Sequence, residues 1–302
     1  MAIVYLARDV RHRRDVAVKL LRPELALALG AERFLREIDT ASRLTHPNIL
    51  PVLESGEAQG LLYYVMPYVA GETLRDRLDR DRQLPVSEAL RIARDVAGAL
   101  GYAHRQDVLH RDLKPENVLL ANGQAVIADF GIACAITRAA GRTSAGMRSA
   151  PLTGAGVSLG TPAYMSPEQA LGSRVLDGRS DIYAVGCMLY EMLAGQPPFS
   201  GPTAVVIRQH VSAPAPELAA IRKHIDPFIT SAVTRALSKT PGDRFATMDE
   251  FANALTIPES PGAGRGDPTL PIGAAPRWSI ARGILALALL LAAGILWVVW
   301  TG

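Results

Sequence analysis

The stretch that decides the fold is HRDLKPENVLLANGQAVIADFG, residues 110–131. Near its centre Asn122-Gly123 separates two apolar runs, and this dipeptide is a hairpin signal because Asn and Gly most readily take the positive φ of the tight turn that matches strand twist. The turn sets a register in which Val118 to Leu120 pair with Ala125 to Ile127. Counting outward brings Asn117 within about one register step of Asp129 at the open end of the hairpin. Two oxygen ligands then stand side by side, an arrangement that a hard cation such as magnesium accepts when phosphate oxygens and water complete its shell. Asp112 and Lys114, a carboxylate and a cation, lie on the loop just before. Any one of these residues alone reads as a polar cap on a loop; in combination they describe a site.

The flanking segments supply the frame. In DVAVKLL, residues 15–21, strict alternation puts Val16, Val18 and Leu20 on one face and Ala17 and Lys19 on the other. The next segment, AERFLREIDTASRL, residues 31–44, is a helix whose Phe34, Ile38 and Ala41 form an apolar stripe, with Glu37 at its border and able to reach inward. A Lys and a Glu at this separation also suit a plain surface ion pair. The sequence PVSEALRIARDVAGALGYAHRQ, residues 85–106, is a long helix leading into the decisive stretch. RSDIYAVGCMLYEML, residues 179–193, is a very apolar helix, with Asp181 expected at its start.

Composition narrows the class. The 302 residues are 49% hydrophobic and 20% charged, which fits a folded chain with a sizeable core, as one large domain or two lobes. A net charge of +3 with both signs interspersed gives no single-sign field and no reason to expect a nucleic-acid partner. The basic run from Arg11 to Arg14 reads as a solvated turn. The two cysteines, Cys134 and Cys187, exclude a disulfide framework and have no metal-ligand company. No basic region and apolar run of the signal-peptide kind precede the first strand. At the other end, Gly283 to Trp300 is 18 residues without a charge, about 27 Å as a helix, close to the thickness of a bilayer core. Arg277 and Arg282 before it, with Trp278, Trp297 and Trp300 near its ends, fit interfacial anchors with the basic side in the cytoplasm. The preceding IPESPGAGRGDPTLPIGAAPR is rich in Pro and Gly and reads as a tether.

On these residues the chain resembles a protein kinase of the bacterial transmembrane serine/threonine type. The motifs are VAVK at 16–19, Glu37 in the following helix, HRDLKPEN at 110–117, DFG at 129–131 and SPE at 166–168, in family order and spacing. The resemblance implies an α+β, bilobal fold: a small antiparallel-sheet lobe with one main helix over 1–66, and a hinge and mainly helical large lobe over 67–255. A juxtamembrane linker over 256–277 and one transmembrane helix over 278–300 complete the expected organisation, with the kinase domain in the cytoplasm. It further implies transfer of the ATP γ-phosphoryl group to protein Ser/Thr hydroxyls, catalysed mainly by positioning and charge stabilisation. Lys19 holds the α/β-phosphates and pairs with Glu37; Asp112 receives or orients the substrate hydroxyl proton; Lys114 steadies the γ-phosphate; Asn117 and Asp129 bind Mg2+. Lys114 and Thr161, in GTPAYMSPE, resemble serine/threonine more than tyrosine kinases. Met66 is the gatekeeper against adenine, Pro67 offers a carbonyl to the adenine amino group, and Val69 donates the matching N–H. Pro67 stands where relatives commonly carry an acidic residue, but a carbonyl is all the position supplies. Val4 and Leu119 sandwich the ring, and Ala17 belongs to the same surface.

Other family residues have structural jobs. His110 and Phe130 pack and set the loop, Asp181 anchors its backbone, and Glu168 and Arg244 form a buried ion pair. Between DFG and SPE the chain is rich in Ala, Gly, Ser and Thr, with little to bury. Arg111 is a cation that a phosphate on this segment would meet. Thr153 is the leading acceptor, with Thr143, Ser144, Ser149 and Ser158 behind it. Aligning Val4 with the valine after the family's glycine-rich turn puts Ala2 at the third glycine position. The first strand and two glycines then have no residues, and a Met commonly occupies this spot in relatives. The sequence therefore leaves a second reading, a catalytically impaired kinase-like scaffold that binds nucleotide or partners. Trans-phosphorylation in the family suggests a homodimer.

Overall fold

Strand pairing begins where the sequence alternates. The computed structural model describes residues 2–21, 31–130, 162–173 and 175–256. These fall in one compact unit, Met1–Ile257, distinct from a second, Pro258–Gly302. Strand β1 (Ala2–Asp9) and β2 (Arg14–Leu21) form an antiparallel hairpin with Val4 opposite Lys19 and Leu6 opposite Ala17. β3 (Glu54–Ala58) and β4 (Leu61–Pro67) complete a four-stranded sheet in the order β1-β2-β4-β3. Helix α1 (Ala31–Ser42) turns its stripe inward: Phe34, Ile38 and Ala41 are all buried. Leu21, Phe34, Ile38, Leu62 and Tyr64 make the small-lobe core.

β2 departs from the simple alternation. Val16 and Ala17 are neighbours on opposite faces, yet both are buried, while Val18 and Leu20 are only half-buried. The strand lies inside the sheet and is covered on both sides at Val16 and Ala17, so period-two burial is lost there.

The large lobe is built on α3 (Val86–His104) and α5 (Gly178–Ala194), which pack on each other. Every residue of α5 from Ser180 to Ala194 is buried, so this helix has no solvent face. Asp181 sits in its first turn, at the helix start as expected, and the cap ahead of it is Asp177, which accepts from the Arg179 N–H. Asp181 is thereby free to turn its carboxylate to the loop at 110–111. The remaining large-lobe helices are α2 (Leu74–Asp81), α4 (Pro167–Ala170), α6 (Thr203–Ser212), α7 (Leu218–Ile221), α8 (Pro227–Ala236) and α9 (Met248–Ala254).

A second sheet carries the site. β6 (Val118–Ala121) and β7 (Gln124–Ile127) pair in the register set by the turn, Val118 with Ile127 and Leu120 with Ala125. Asn122 and Gly123 have φ of 51° and 76°, both positive as that turn demands. A two-residue strand, β5 (Glu72–Thr73), joins β6 on its other side. It comes so close that a Cβ on Gly71 would lie 2.3 Å from the Leu120 carbonyl oxygen. The segment after α1 docks on β7 through Leu50 N–H to Ile127 O and Ile127 N–H to Asn48 O, both 2.8 Å. This joint fixes the position of the hairpin against the chain leaving the small lobe.

Among the described residues no helix is long and apolar enough to cross a membrane. The expected tether beyond Thr256 and the apolar segment 278–300 lie outside the described residues.

Candidate active site

The loop at 110–117 is held from below by one buried carboxylate. Asp181 accepts the His110 N–H at 3.0 Å and the Arg111 N–H at 2.9 Å, and meets His104 Nε2 at 2.8 Å. Burial pushes the Asp181 carboxyl up, but the His104 hydrogen bond and the nearby imidazole and amide partners outweigh it, so it stays ionised below the usual carboxylate range. Arg111 has φ of 67°, a left-handed conformation costing about 1–3 kcal/mol for such a side chain. Its two flanking bonds, from its N–H to Asp181 and from Gln169 Nε2 to its carbonyl at 2.7 Å, over-determine that geometry.

The loop then presents its polar side chains. Asp112 remains 43% exposed at its side chain, reachable by a substrate, and Lys114 Nζ donates to its Oδ2 at 2.8 Å. Asn117 is buried; its amide nitrogen donates to the Asp112 carbonyl at 2.8 Å, which turns its amide oxygen the other way. The Ala128 N–H donates to the Asn117 carbonyl at 2.9 Å, so Asp129 follows one residue beyond the paired position. A carboxylate and an amide oxygen thus flank the open end of the hairpin, a hard-donor pair suited to magnesium. Among the described residues no group of three His, Cys, Asp or Glu would hold a metal alone. Two such donors leave the rest of a magnesium shell to phosphate and water.

Asp129 lies at the meeting of the two lobes, again with left-handed backbone, φ 66°. Lys19 Nζ donates to its Oδ2 and the Tyr64 hydroxyl to its Oδ1. Burial raises its pKa, and the Lys19 charge and hydrogen bond, with the Tyr64 hydroxyl, more than reverse this, leaving it below the usual carboxylate range. Phe130 packs edge-on against His110 with ring centroids 4.9 Å apart, and His110 Nε2 lies 3.1 Å from the Ala128 carbonyl, to which it donates. Lys19 therefore contacts Asp129 here; the side chain of Glu37, its expected partner, lies outside what is described, although the residue sits on α1.

The remaining expected positions fall along one face and its edge. Val4, directly across from Lys19, is exposed; Ala17 is buried opposite Met66; Leu119 and Val69 are half-buried, as is Pro67 at the end of β4. Glu168 and Arg244 form a two-pronged pair at 2.7 and 2.8 Å with the guanidinium buried. Cys134, Thr143, Ser144, Ser149, Thr153, Ser158 and Thr161 lie outside the described residues.

Sequence reasoning passed over three groups. Tyr64 is one; only the β4 register, which sets it opposite Lys19, would have found it. Asn48 is another: its Nδ2 donates to the Ala125 carbonyl at 2.8 Å and helps seat the hairpin. The third is Arg75 on α2, which bridges Glu191 on α5 at 2.9 Å, Glu116 of the loop at 3.3 Å and the Tyr164 hydroxyl. No spacing rule joins residues so far apart in sequence.

Comparison with known proteins gives one answer. The family model described as protein kinase domain matches residues 1–254. The chain is 41% identical over 258 residues to the serine/threonine-protein kinase PknB of Mycobacterium leprae, covering 83% of this chain and 40% of that one. It is likewise 41% identical over 261 residues to PknB of Mycolicibacterium smegmatis, with the same shares covered, 83% and 40%. A crystal structure of the Mycobacterium tuberculosis PknI kinase domain superposes with a TM-score of 0.65 at 33% identity, covering 84% of this chain and 89% of that one. The chain spans about two fifths of the length of the curated relatives.

Proposed function

We propose, from the premise that this chain belongs to the protein kinase family and carries an ATP-dependent protein kinase domain, that it phosphorylates Ser and Thr hydroxyls of proteins from a membrane-anchored position. What carries the reading is a continuous run of contacts: Lys19 to Asp129, Ala128 to Asn117, and Asn117 to Asp112 with Lys114 beside it. Phosphoryl transfer asks a protein for little covalent chemistry; it asks for positioned charge. Lys19 holds the α/β-phosphates, and Glu37 on α1 is its partner once nucleotide is bound. Lys114 steadies the γ-phosphate, and exposed Asp112 orients the incoming hydroxyl and receives its proton. Asn117 and Asp129 are the residues that hold Mg2+, which when bound supplies charge neutralisation between the β- and γ-phosphates. The adenine lies between Val4, Ala17 and Leu119, with Met66 behind it and the backbone of Pro67 and Val69 at its edge.

Autophosphorylation on the segment 137–158, with Thr153 foremost and Arg111 as the receiving cation, follows from the resemblance and the Ser/Thr content of that segment. Transfer between two copies of the chain is the route we favour. The uncharged stretch 283–300 supports membrane anchoring. The deciding experiment is a radiolabelled-ATP assay of the full chain on a generic protein substrate, with Asp112→Asn as control. We expect Mg2+-dependent labelling of Ser/Thr that falls at least about 10²-fold in Asp112→Asn, the lower range for loss of a positioned general base. Equal labelling by the two proteins, or none by either, would overturn the reading.

A further inference from the structure

Tyr64 lies on β4 directly across from Lys19 on β2. Cross-strand partners share a face, and the Lys19 nitrogen stands 5.9 Å from the Tyr64 ring centroid. The ring is 1% exposed, packed in the small-lobe core with Leu21, Phe34, Ile38 and Leu62. A phenol buried this deeply must spend its hydroxyl on a partner or lose free energy. That partner is Asp129: Tyr64 donates to Oδ1 while Lys19 donates to Oδ2. The two grips differ in kind. Lys19 is a charge on a flexible stem that the nucleotide's phosphates will draw away. Tyr64 is a neutral donor on a rigid ring locked in the core, so its hold on Oδ1 persists when Lys19 leaves.

We infer that Tyr64 is a positioning residue for Asp129, fixing the orientation in which that carboxylate receives the divalent cation; this rests on the reading of Asp129 as a magnesium ligand. The hydroxyl occupies one acceptor site of Oδ1, and a carboxylate has about four, so both oxygens keep lone pairs for a cation. Asp129 needs such a support because its backbone is in the left-handed region and belongs to no strand or helix that would aim the side chain. Hydrogen bonds to a ligating carboxylate of this kind are worth about 10–100-fold in metal affinity.

The test uses Mn2+ as a paramagnetic stand-in for Mg2+, titrated into the full chain with saturating ADP and read by electron paramagnetic resonance. The proteins compared are the unaltered chain, Tyr64→Phe, Tyr64→Leu and Asp129→Asn. Tyr64→Phe keeps the ring and its packing, and we expect it to weaken Mn2+ binding about 10-fold while ADP affinity in chelator stays unchanged. Tyr64→Leu checks that the hydroxyl is responsible and should lose a similar factor; Asp129→Asn should lose at least as much. Unchanged or tighter Mn2+ binding in Tyr64→Phe, beside a weakened Asp129→Asn, overturns the role of Tyr64 and spares that of Asp129. Unchanged binding in both overturns both. An equal loss of metal-free ADP affinity in Tyr64→Phe marks general loosening and also overturns the inference.

Discussion

His210 on α6 is a buried histidine held neutral. It is fully buried, its Nδ1 lies 2.9 Å from the Tyr183 hydroxyl, and its ring meets Phe199 edge-on at 4.9 Å. Burial first, and then the positive charge of Lys239, bring its pKa from 6.5 down to about 4. A neutral ring lets Nδ1 accept from Tyr183. In the unfolded chain the same imidazole takes a proton near 6.5, so its contribution to stability is whole above 6.5 and is lost as pH falls toward about 4. Thermal unfolding across that window should therefore show a shallower pH dependence for His210→Gln than for the unaltered chain, and parallel curves would contradict this. The candidate residues of the loop could be picked out at this scale because the family motifs are contiguous: Asp112, Lys114 and Asn117 fall within one loop. The partners of those residues were not. Lys19 meets Asp129 and Tyr64, and Asp181 meets His104, through contacts set by how elements pack, which no local spacing encodes.

At the scale of elements, the Glu168–Arg244 pair ties the start of α4 to the loop before α9. The guanidinium also donates to the carbonyls of Ser238 at 2.8 Å, Arg179 at 2.9 Å and Lys239 at 3.1 Å. Arg244→Ala would leave the Glu168 carboxylate without its charge partner, with the Ser180 hydroxyl still donating to Oε1 at 2.7 Å, and would strip those carbonyls of their donor, a loss of about 3–5 kcal/mol. A large fall in melting temperature is the expected result; an unchanged one would refute it. The hairpin at 118–127 could be read to the residue because its turn chemistry allows a single register. β2 could not, since burial on both faces erases the alternation, and β5 is too short to carry any pattern. The start of α5 was legible at Asp181, which lies in the first turn, whereas its cap, Asp177, was not singled out.

At the scale of the whole molecule, the kinase unit Met1–Ile257 is distinct from Pro258–Gly302. Two separate apolar clusters serve the small and large lobes, and the large one extends to Ala41 at the end of α1 and to Leu44 and Ile49 of the segment that follows. The fold class was legible since long-range motif order, more than any single element, specifies two lobes around a cleft. The sequence of the second unit gives a direct test of anchoring. The full chain should be recovered with membranes on fractionation of cells that express it, and a chain ending at Ile257 should be recovered in the soluble fraction with its ATP-dependent labelling intact. Soluble recovery of both would remove the anchor from the proposal.

Helix α5 carries a built-in timer. Cys187 is fully buried within it, and burial raises its thiol pKa well above the ordinary value. A thiol with no solvent face around it cannot react with a disulfide reagent until the helix that holds it comes apart. With Cys134 replaced by Ser, Cys187 becomes the single thiol of the chain, and its rate of modification should follow opening of the large lobe. That rate should rise sharply when Arg244→Ala is added and stay unchanged when Tyr64→Phe is added. A single absorbance trace would then tell damage to the scaffold from damage to the site.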